Sequence, residues 1–350
     1  MADKIPVAVL GATGAVGQRF LQLLDDHPLF EVVALAASKR SAGKKYSDAC
    51  RWVIPSDPPL SIRDMIVSPL EPGIPGRLVF SALPSDVARQ VEAWFAEAGY
   101  AVCSNASAFR YEPDVPIIIP EVNPDHLSLI SAQRAKRNWS GFIVTNPNCS
   151  TTGIATVLKP LHEAFGLTEV FAFTMQAVSG AGYPGISSLD IIDNIVPYIN
   201  GEEEKIIRET CLLLGDVDNN RQRAADIKLS AHSNRVPVVD GHTIALSLGF
   251  DSSPSPDEAS EVLRNFRGPV DVVDLPSAPK YPLIVTQQDD RPQPRRDRDA
   301  EGGMAVTVGR IRKCPILDLR LMLVVHNTIR GAAGGSLLNA ELLAKRGLLR

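Results

Sequence analysis

PVAVLGATGAVGQRFLQLLDDHPLFEVVALAA, Pro6 to Ala37, decides how this chain of 350 residues is read. Pro6 to Leu10 is a short apolar run of the kind buried on both faces of a parallel sheet. Gly14 to His27 carries a leucine stripe at helical spacing, and Glu31 to Ala37 is a second apolar run. Strand, helix and strand in that order make a βαβ unit. The turn inside it, GATGAVG from Gly11 to Gly17, is a GxxGxxG variant of a dinucleotide fingerprint. Its glycines permit a tight turn and a close approach of backbone to a pyrophosphate, which then faces the positive end of the helix. Such a pattern alone also occurs in ordinary turns; its place between strand and helix gives it weight.

The end of the second strand bears on which dinucleotide binds. An NAD site sets an acidic residue there to bond the ribose 2′-hydroxyl, whereas a 2′-phosphate calls for hydroxyls and cations. Here Ser38, Lys39, Arg40 and Ser41 follow the strand, then Lys44 and Lys45, with no carboxylate before Asp48. NADP is the expected cofactor, against the alternative of a solvated basic loop.

Further strands are expected at Leu78 to Ser81, Ala101 to Ser104, Ile117 to Ile119 and Phe142 to Thr145, with helices near Asp86 to Ala98 and Asp125 to Arg137. The first half, residues 1–146, therefore reads as a Rossmann-type doubly wound parallel sheet. Beyond it, long β-rich segments at Glu169 to Val178, Asp226 to Val239, Thr243 to Gly249, Met304 to Ile311 and Asp318 to Val325 no longer alternate regularly with helices, so residues 147–326 read as a mixed α+β domain. Asp289 to Gly303, rich in proline and in both charge signs, reads as a solvated loop. The last segment, 327–350, has helical apolar spacing and is expected to pack back on the first domain.

Composition narrows the partners. With 45% hydrophobic and 22% charged residues, the chain has material for two cores, and a formal charge of −4 gives no basic footprint for nucleic acid or an anionic membrane. No apolar run approaches membrane-spanning length, and the N-terminal one breaks at Gly11 without a cleavage pattern, so neither a membrane anchor nor a secretory leader is expected. Cys50, Cys103, Cys149, Cys211 and Cys314 are odd in number and unpaired in spacing, which fits a reducing compartment and offers no metal site.

Two segments carry chemistry. NPNCSTTG, Asn146 to Gly153, sets Cys149 just before an expected helix from Thr151 to Phe165, where the dipole favours a thiolate. A lone cysteine is more often a small core residue. NRVPVVDGH, Asn234 to His242, adds Arg235 near one strand end and His242 at the start of the next, with a VVDG turn between. Together they supply a nucleophile, an acid/base group and a fork for a carboxylate.

GATGAVG, SNASAFR (Ser104 to Arg110), PEVN (Pro120 to Asn123), NPNCST, QAVSGAG (Gln176 to Gly182), GEEEK (Gly201 to Lys205), RVPVVDGH and RGAAGG (Arg330 to Gly335) occur in this order along nearly the whole chain. In this the chain resembles the aspartate-semialdehyde dehydrogenases, and its RPQPRRDRDAEGGMAVTVGR segment is similar to their archaeal and fungal branch. Glyceraldehyde-3-phosphate dehydrogenases, with an SCTTN-type motif, and N-acetylglutamyl-phosphate reductases fit less well.

The resemblance implies a glyceraldehyde-3-phosphate-dehydrogenase-like catalytic and dimerisation domain, a homodimer or homotetramer, and a cytoplasmic enzyme of lysine, threonine and methionine biosynthesis. It implies NADP-dependent, reversible reduction of 4-phospho-L-aspartate to L-aspartate 4-semialdehyde and phosphate. Cys149 would form the thioester, His242 would be the acid/base, and Gln176 would position substrate. Asn148 would bind the phosphoryl group or stabilise developing charge, Arg235 would clamp the α-carboxylate, and Glu202, with Glu203 as the alternative, would hold the α-ammonium. Arg110 and Lys205 would bind phosphate. The cofactor would meet Gly11, Thr13, Gly14, Ala15, Val16, Gly17, Ser38, Arg40 and Ser41, with Ser179, Gly180 and Asn327 near its nicotinamide. Two rival readings stay open: a CoA-thioester reductase such as malonyl-CoA reductase, and a non-catalytic NADP-binding regulatory protein.

Overall fold

A computed structural model describes residues 3–349, so the outermost ends of the expected domains, residues 1, 2 and 350, lie outside the described residues. The first half holds β1 (Ile5–Leu10), β2 (Phe30–Ala36), β3 (Val67–Ser68), β4 (Leu78–Ser81), β5 (Ala101–Ser104) and β6 (Phe142–Thr145). They form one parallel sheet in the order β3-β2-β1-β4-β5-β6. That order reverses between β1 and β4, and the crevice at the carboxyl ends of these two strands is where such sheets take a dinucleotide. The four residues of each of β4, β5 and β6 are buried throughout, as strands covered on both faces must be.

Ile117 to Ile119 is not a strand. Ile117 makes only an isolated bridge to Thr145. Prolines stand at 116 and 120, and the side chain of Asn123 takes over the ladder's bonds, accepting from Ile119 N at 2.9 Å and donating to the Ile117 carbonyl at 2.8 Å. The segment is nonetheless buried, as its apolar character requires. The edge position at the other end of the sheet is filled instead by the two-residue β3.

The second half is built on a mixed sheet whose order is Lys228–Arg235, Leu167–Gln176, His242–Phe250, Leu319–Val325, Val306–Lys313 and Leu283–Val285. Along Leu167–Gln176 the residues alternate: Val170, Ala172 and Thr174 are buried, whereas Phe171 and Phe173 are 41% and 38% exposed. One face thus packs on the helix Cys149–Phe165 and its neighbours, and the other stays open. The insert Asp289 to Gly303 is more ordered than a solvated loop. Asp297 is buried, pairs with Arg291 through Nε at 2.8 Å and accepts from Gln293 N, and Arg298 donates to the Asp240 carbonyl at 3.0 Å. The buried carboxylate holds the segment's own turns together, and Arg298 ties it to the turn that precedes His242. The C-terminal helix Gly334–Lys345 contributes Leu337, Leu338, Leu342 and Leu343 to the same apolar cluster as Val7, Val9 and Phe80 of the first sheet. Among the described residues no helix is long and apolar enough to cross a membrane.

Candidate active site

β6 leads through Asn146-Pro147-Asn148 directly into the 17-residue helix Cys149–Phe165. Asn148 caps that helix, its Oδ1 accepting from Ser150 N at 2.9 Å and from Thr151 N at 3.2 Å. Cys149 is therefore the first helical residue, half-buried, at the carboxyl edge of the parallel sheet.

Three further side chains arrive from adjoining strand ends. The strands Lys228–Arg235 and His242–Phe250 do not form a hairpin with each other; each pairs with one side of Leu167–Gln176. Arg235 is in register with Gln176, and Thr243 with Met175. The arginine, the glutamine and the histidine consequently end side by side. His242 Nε2 lies 3.2 Å from Cys149 Sγ, and His242 Nδ1 accepts from the Ala177 N–H at 3.0 Å. Arg235 Nη1 donates to the Ala177 carbonyl at 2.8 Å, leaving its buried Nε without a partner among the described residues.

The helix Glu202–Leu214 supplies the carboxylates. Glu202 Oε1 accepts from Gln176 Nε2 at 2.8 Å and from Asn148 Nδ2 at 2.9 Å, whereas Glu203 turns away to accept from Ser233 N at 2.8 Å. Of the two neighbouring glutamates, Glu202 is the one that faces the sulfur's surroundings. Lys205 is half-buried one turn further along the same face. Arg110 is buried and pairs with Glu209 at 3.0 Å. Glu209 was not anticipated from the sequence; its spacing of seven from Glu202, two helical turns on one face, is the signal that marks it.

Burial and the Glu202 carboxylate push the Cys149 thiol up to about 12, against the pull of the Arg235 and Arg110 cations. Burial, with the Arg235 cation and then the nearby His326 acting the same way, brings His242 down to about 3. Both groups are thus neutral at pH 7 in the ligand-free site.

Around the glycine turn, Gly11 has φ +76°, and a Cβ there would lie 2.7 Å from the Ala82 carbonyl oxygen. A Cβ on Gly17 would lie 2.3 Å from the Gly11 carbonyl oxygen, so only glycine lets the helix Ala15–Leu24 sit this close to the turn. Gly14 caps this helix without a side chain, leaving the amides of Ala15, Val16 and Gly17 facing outward as anion donors. Next to it is a cavity of ≈ 460 Å³ lined by Thr13, Arg40, Ser41, Lys44, Arg51 and Tyr183, among others. Ser38 is exposed at its approach. Three cations against the one carboxylate, Asp48, suit a cofactor that carries a 2′-phosphate. Arg51 and Tyr183 were not singled out in the sequence; the Arg51 guanidinium lies 5.7 Å from the Tyr183 ring centre, and nothing local marks either one. Between the cavity and the sulfur, Asn327 Nδ2 donates to Ser179 Oγ at 2.8 Å and its Oδ1 accepts from Gly241 N. A Cβ on Gly180 would lie 2.7 Å from Arg235 Nη1 and 3.1 Å from the His242 ring.

Residues 6–130 match the family model "Semialdehyde dehydrogenase, NAD binding domain", and residues 158–330 match "Semialdehyde dehydrogenase, dimerisation domain". The chain is 54% identical to the aspartate-semialdehyde dehydrogenase of Methanothermobacter thermautotrophicus, across 97% of this chain and 99% of that protein. It belongs to the aspartate-semialdehyde dehydrogenase family. The Saccharomyces cerevisiae aspartate-semialdehyde dehydrogenase is 44% identical over the full length of both chains. The crystal structure of aspartate semialdehyde dehydrogenase with NADP from Candida albicans superposes with a TM-score of 0.92 at 43% identity, covering 99% of this chain and 100% of that one. A second member of the aspartate-semialdehyde dehydrogenases, from Vibrio cholerae and complexed with ASA, gives 0.78 at 27% identity over 98% of this chain and 99% of that one. The Rossmann-type sheet, the mixed second domain and the archaeal and fungal affinity expected from the motifs agree with these relatives.

Proposed function

We infer that this chain is an NADP-dependent aspartate-semialdehyde dehydrogenase, reducing 4-phospho-L-aspartate to L-aspartate 4-semialdehyde with release of phosphate, and running in reverse as a phosphorylating oxidation. The observation that carries this reading is the convergence of the Cys149 sulfur and the His242 imidazole at 3.2 Å with Arg235 and Glu202 beside them.

The roles follow from the geometry. Cys149 Sγ attacks the acyl carbon of the phosphoryl substrate, the C–O bond to phosphate breaks, and a thioester forms on the sulfur. Arg235 offers its unpartnered Nε and remaining N–H groups to the α-carboxylate, and Glu202 faces the α-ammonium. Gln176 and Asn148 hold the Glu202 carboxylate in place, while the Ser150 amide near the helix start favours negative charge on sulfur. Arg110 and Lys205 supply positive charge for the leaving phosphate. The His242 Nε2–H, 3.2 Å from the sulfur, hydrogen-bonds the sulfur while the thiol proton passes to the departing phosphate; once the thioester is reduced, the C–S bond breaks, the aldehyde C=O re-forms and the proton taken up goes to the sulfur beside His242.

Gly11, Thr13, Gly14, Ala15, Val16 and Gly17 would cradle the pyrophosphate of NADP, Ser38, Arg40 and Ser41 its 2′-phosphate, and Ser179, Gly180 and Asn327 the nicotinamide end. When bound as NADPH, the cofactor supplies the hydride that converts thioester to aldehyde.

Residues 1–146 with the returning segment 327–350 form the dinucleotide-binding unit, and 147–326 the catalytic and oligomerisation unit. The open face bearing Phe171 and Phe173 is the surface for a homodimer, or for a homotetramer built from such dimers. The enzyme acts in the cytoplasm, where its five unpaired cysteines, Cys149 among them, are kept reduced, in lysine, threonine and methionine biosynthesis.

A malonyl-CoA reductase has less use for this site. Its substrate has no ammonium, and Glu202 would repel its carboxylate. A regulatory protein has no need of a nucleophile paired with an imidazole. The test is a panel in the oxidative direction. L-aspartate 4-semialdehyde, NADP and phosphate should turn over without CoA; reduction of malonyl-CoA with no activity on the semialdehyde would replace this reading with the CoA-thioester one.

A further inference from the structure

The Glu209 carboxylate is completely buried, and all of its donors come from two loops that meet at the site. Oε1 accepts from Arg110 Nη1 at 3.0 Å and from the Tyr111 hydroxyl at 3.1 Å. Oε2 accepts from the backbone N–H of Asn148 at 2.5 Å, one residue before the nucleophile. Arg110 is held from its other end as well, Nη2 donating to the Asn105 carbonyl at 2.7 Å, while its Nε is buried without a partner among the described residues. A buried carboxylate with three donors is fixed in place, so everything it touches is fixed relative to everything else.

Three consequences meet here. The Asn148 amide is pinned, and Asn148 is the cap whose geometry sets where Cys149 starts its helix. The Arg110 guanidinium is held between the Glu209 carboxylate and the Asn105 carbonyl. Its charge is also partly cancelled by a carboxylate that the reaction never touches, which limits how far Arg110 favours a thiolate on the neighbouring sulfur.

We propose that Glu209 is a positioning residue of this enzyme, tying the nucleophile turn to the phosphate-binding arginine and setting how much of the Arg110 charge the Cys149 sulfur feels. This rests on the dehydrogenase reading above and deepens it. A residue that only filled space would affect folding and general activity; one that meters a charge must also move the titration of the sulfur.

The test is the pH dependence of Cys149 alkylation by iodoacetamide, a neutral probe, on the full-length enzyme. In Glu209→Gln the Arg110 cation loses its counter-ion, and the alkylation midpoint should fall by about half a pH unit or more, roughly threefold in rate at a fixed pH on the rising limb. Glu209→Asp, which keeps the charge, should restore the parental midpoint. The pair Glu209→Gln with Arg110→Met should return it to the parental value or above. Should Glu209→Gln alone fail to fold, Arg110→Met against the double variant carries the same test, with the higher midpoint expected in Arg110→Met, where the carboxylate is left uncompensated. A parent enzyme inactive on aspartate semialdehyde with NADP and phosphate removes the functional reading itself. A parent that turns over while the midpoints of these variants stay together, or move the other way, removes the Glu209 proposal and leaves the function standing.

Discussion

The Cys149 sulfur and His242 Nε2 are 3.2 Å apart, while the other ring nitrogen of His242 is already occupied by the Ala177 N–H at 3.0 Å. An amide N–H can only donate, so Nδ1 is an acceptor and the neutral ring carries its proton on Nε2, facing the sulfur. Forming an imidazolium would set two N–H groups against each other. Burial works in the same direction, holding His242 at about 3 and the thiol at about 12. The free enzyme is accordingly a neutral pair rather than a thiolate–imidazolium pair.

Alkylation of Cys149 in the ligand-free enzyme should therefore rise with pH through the alkaline range, with no shoulder between about pH 5 and 8 where an ordinary histidine titrates. A rate that is flat and high from about pH 5 upward would mean that the ion pair exists and that this tautomer argument is wrong. Turnover should vanish in Cys149→Ala, and kcat should fall by about 10²-fold in His242→Asn.

Gly180 lies against Arg235 and His242. A Cβ there would lie 2.7 Å from Arg235 Nη1, and Arg235 is held to the Ala177 carbonyl, so the guanidinium must shift to make room. Gly180→Ala should raise the aldehyde KM by about tenfold, the cost of roughly one charge-assisted hydrogen bond, and leave the dissociation constant for the dinucleotide within about twofold. Arg235→Leu should act in the same sense and more strongly. Steady-state kinetics with titration of NADP by fluorescence quenching separates the two effects; a variant that weakens dinucleotide binding as much as the aldehyde would place Gly180 on the cofactor side alone.

Near Cys149, Arg330 and Glu121 form an ion pair at 2.8 Å in which both side chains are 1% exposed. Arg330 begins the turn carrying Gly331, where a Cβ would lie 2.6 Å from that of Cys149. Arg330→Met leaves a buried carboxylate uncompensated and should cost about 3–5 kcal/mol, whereas adding Glu121→Leu should recover most of the loss because the desolvated charge goes too. Denaturant titration of the two variants measures this, and equal losses in both would mean that the pair acts through packing.

The residues that converge around Cys149 could be listed from sequence because motifs report residue types, and the first sheet could be read because Gly11 to Gly17 and the continuous apolar runs of β1, β4 and β5 depend on local chemistry. What was not legible depends on pairing at a distance. Ile117 to Ile119 has strand composition, yet the Asn123 side chain and the flanking prolines displace the ladder. The stretch from Arg235 to His242 looks like a hairpin, but a third strand, Leu167–Gln176, lies between its arms, and this is what brings Gln176 beside both. Glu209 stands in an ordinary charged helical segment, and only the meeting of two loops around it gives it donors. The Ala177 contact belongs to a backbone amide, which no residue type announces.

The cofactor prediction turns on how the positive charge near the glycine turn is shared. Ser41 is buried and its amide bonds the Ser38 carbonyl at 2.8 Å, so the SKRS segment is a formed turn that presents Arg40 and Ser41 to the cavity rather than a free basic loop. Arg40, Lys44 and Arg51 line that cavity with a single acidic neighbour, Asp48. A 2′-phosphate gains from each cation, while the 2′-hydroxyl of NAD gains from none and meets no carboxylate on the strand end. The parent should therefore prefer NADP, and each of Arg40→Ala and Arg51→Ala should weaken NADP by about 1.5–3 kcal/mol, the range for a hydrogen bond to a charged group, with NAD changed far less. Lys44→Ala should do the same to a smaller degree, since an ammonium on a flexible stem makes a less directional contact. Binding of 2′-phospho-AMP and of 5′-AMP isolates this end of the dinucleotide without any catalytic step. The three variants should lose affinity for the first and keep it for the second. If the parent binds both nucleotides equally, the cations of this cavity do not read the 2′-phosphate, and its recognition must be sought elsewhere along the crevice.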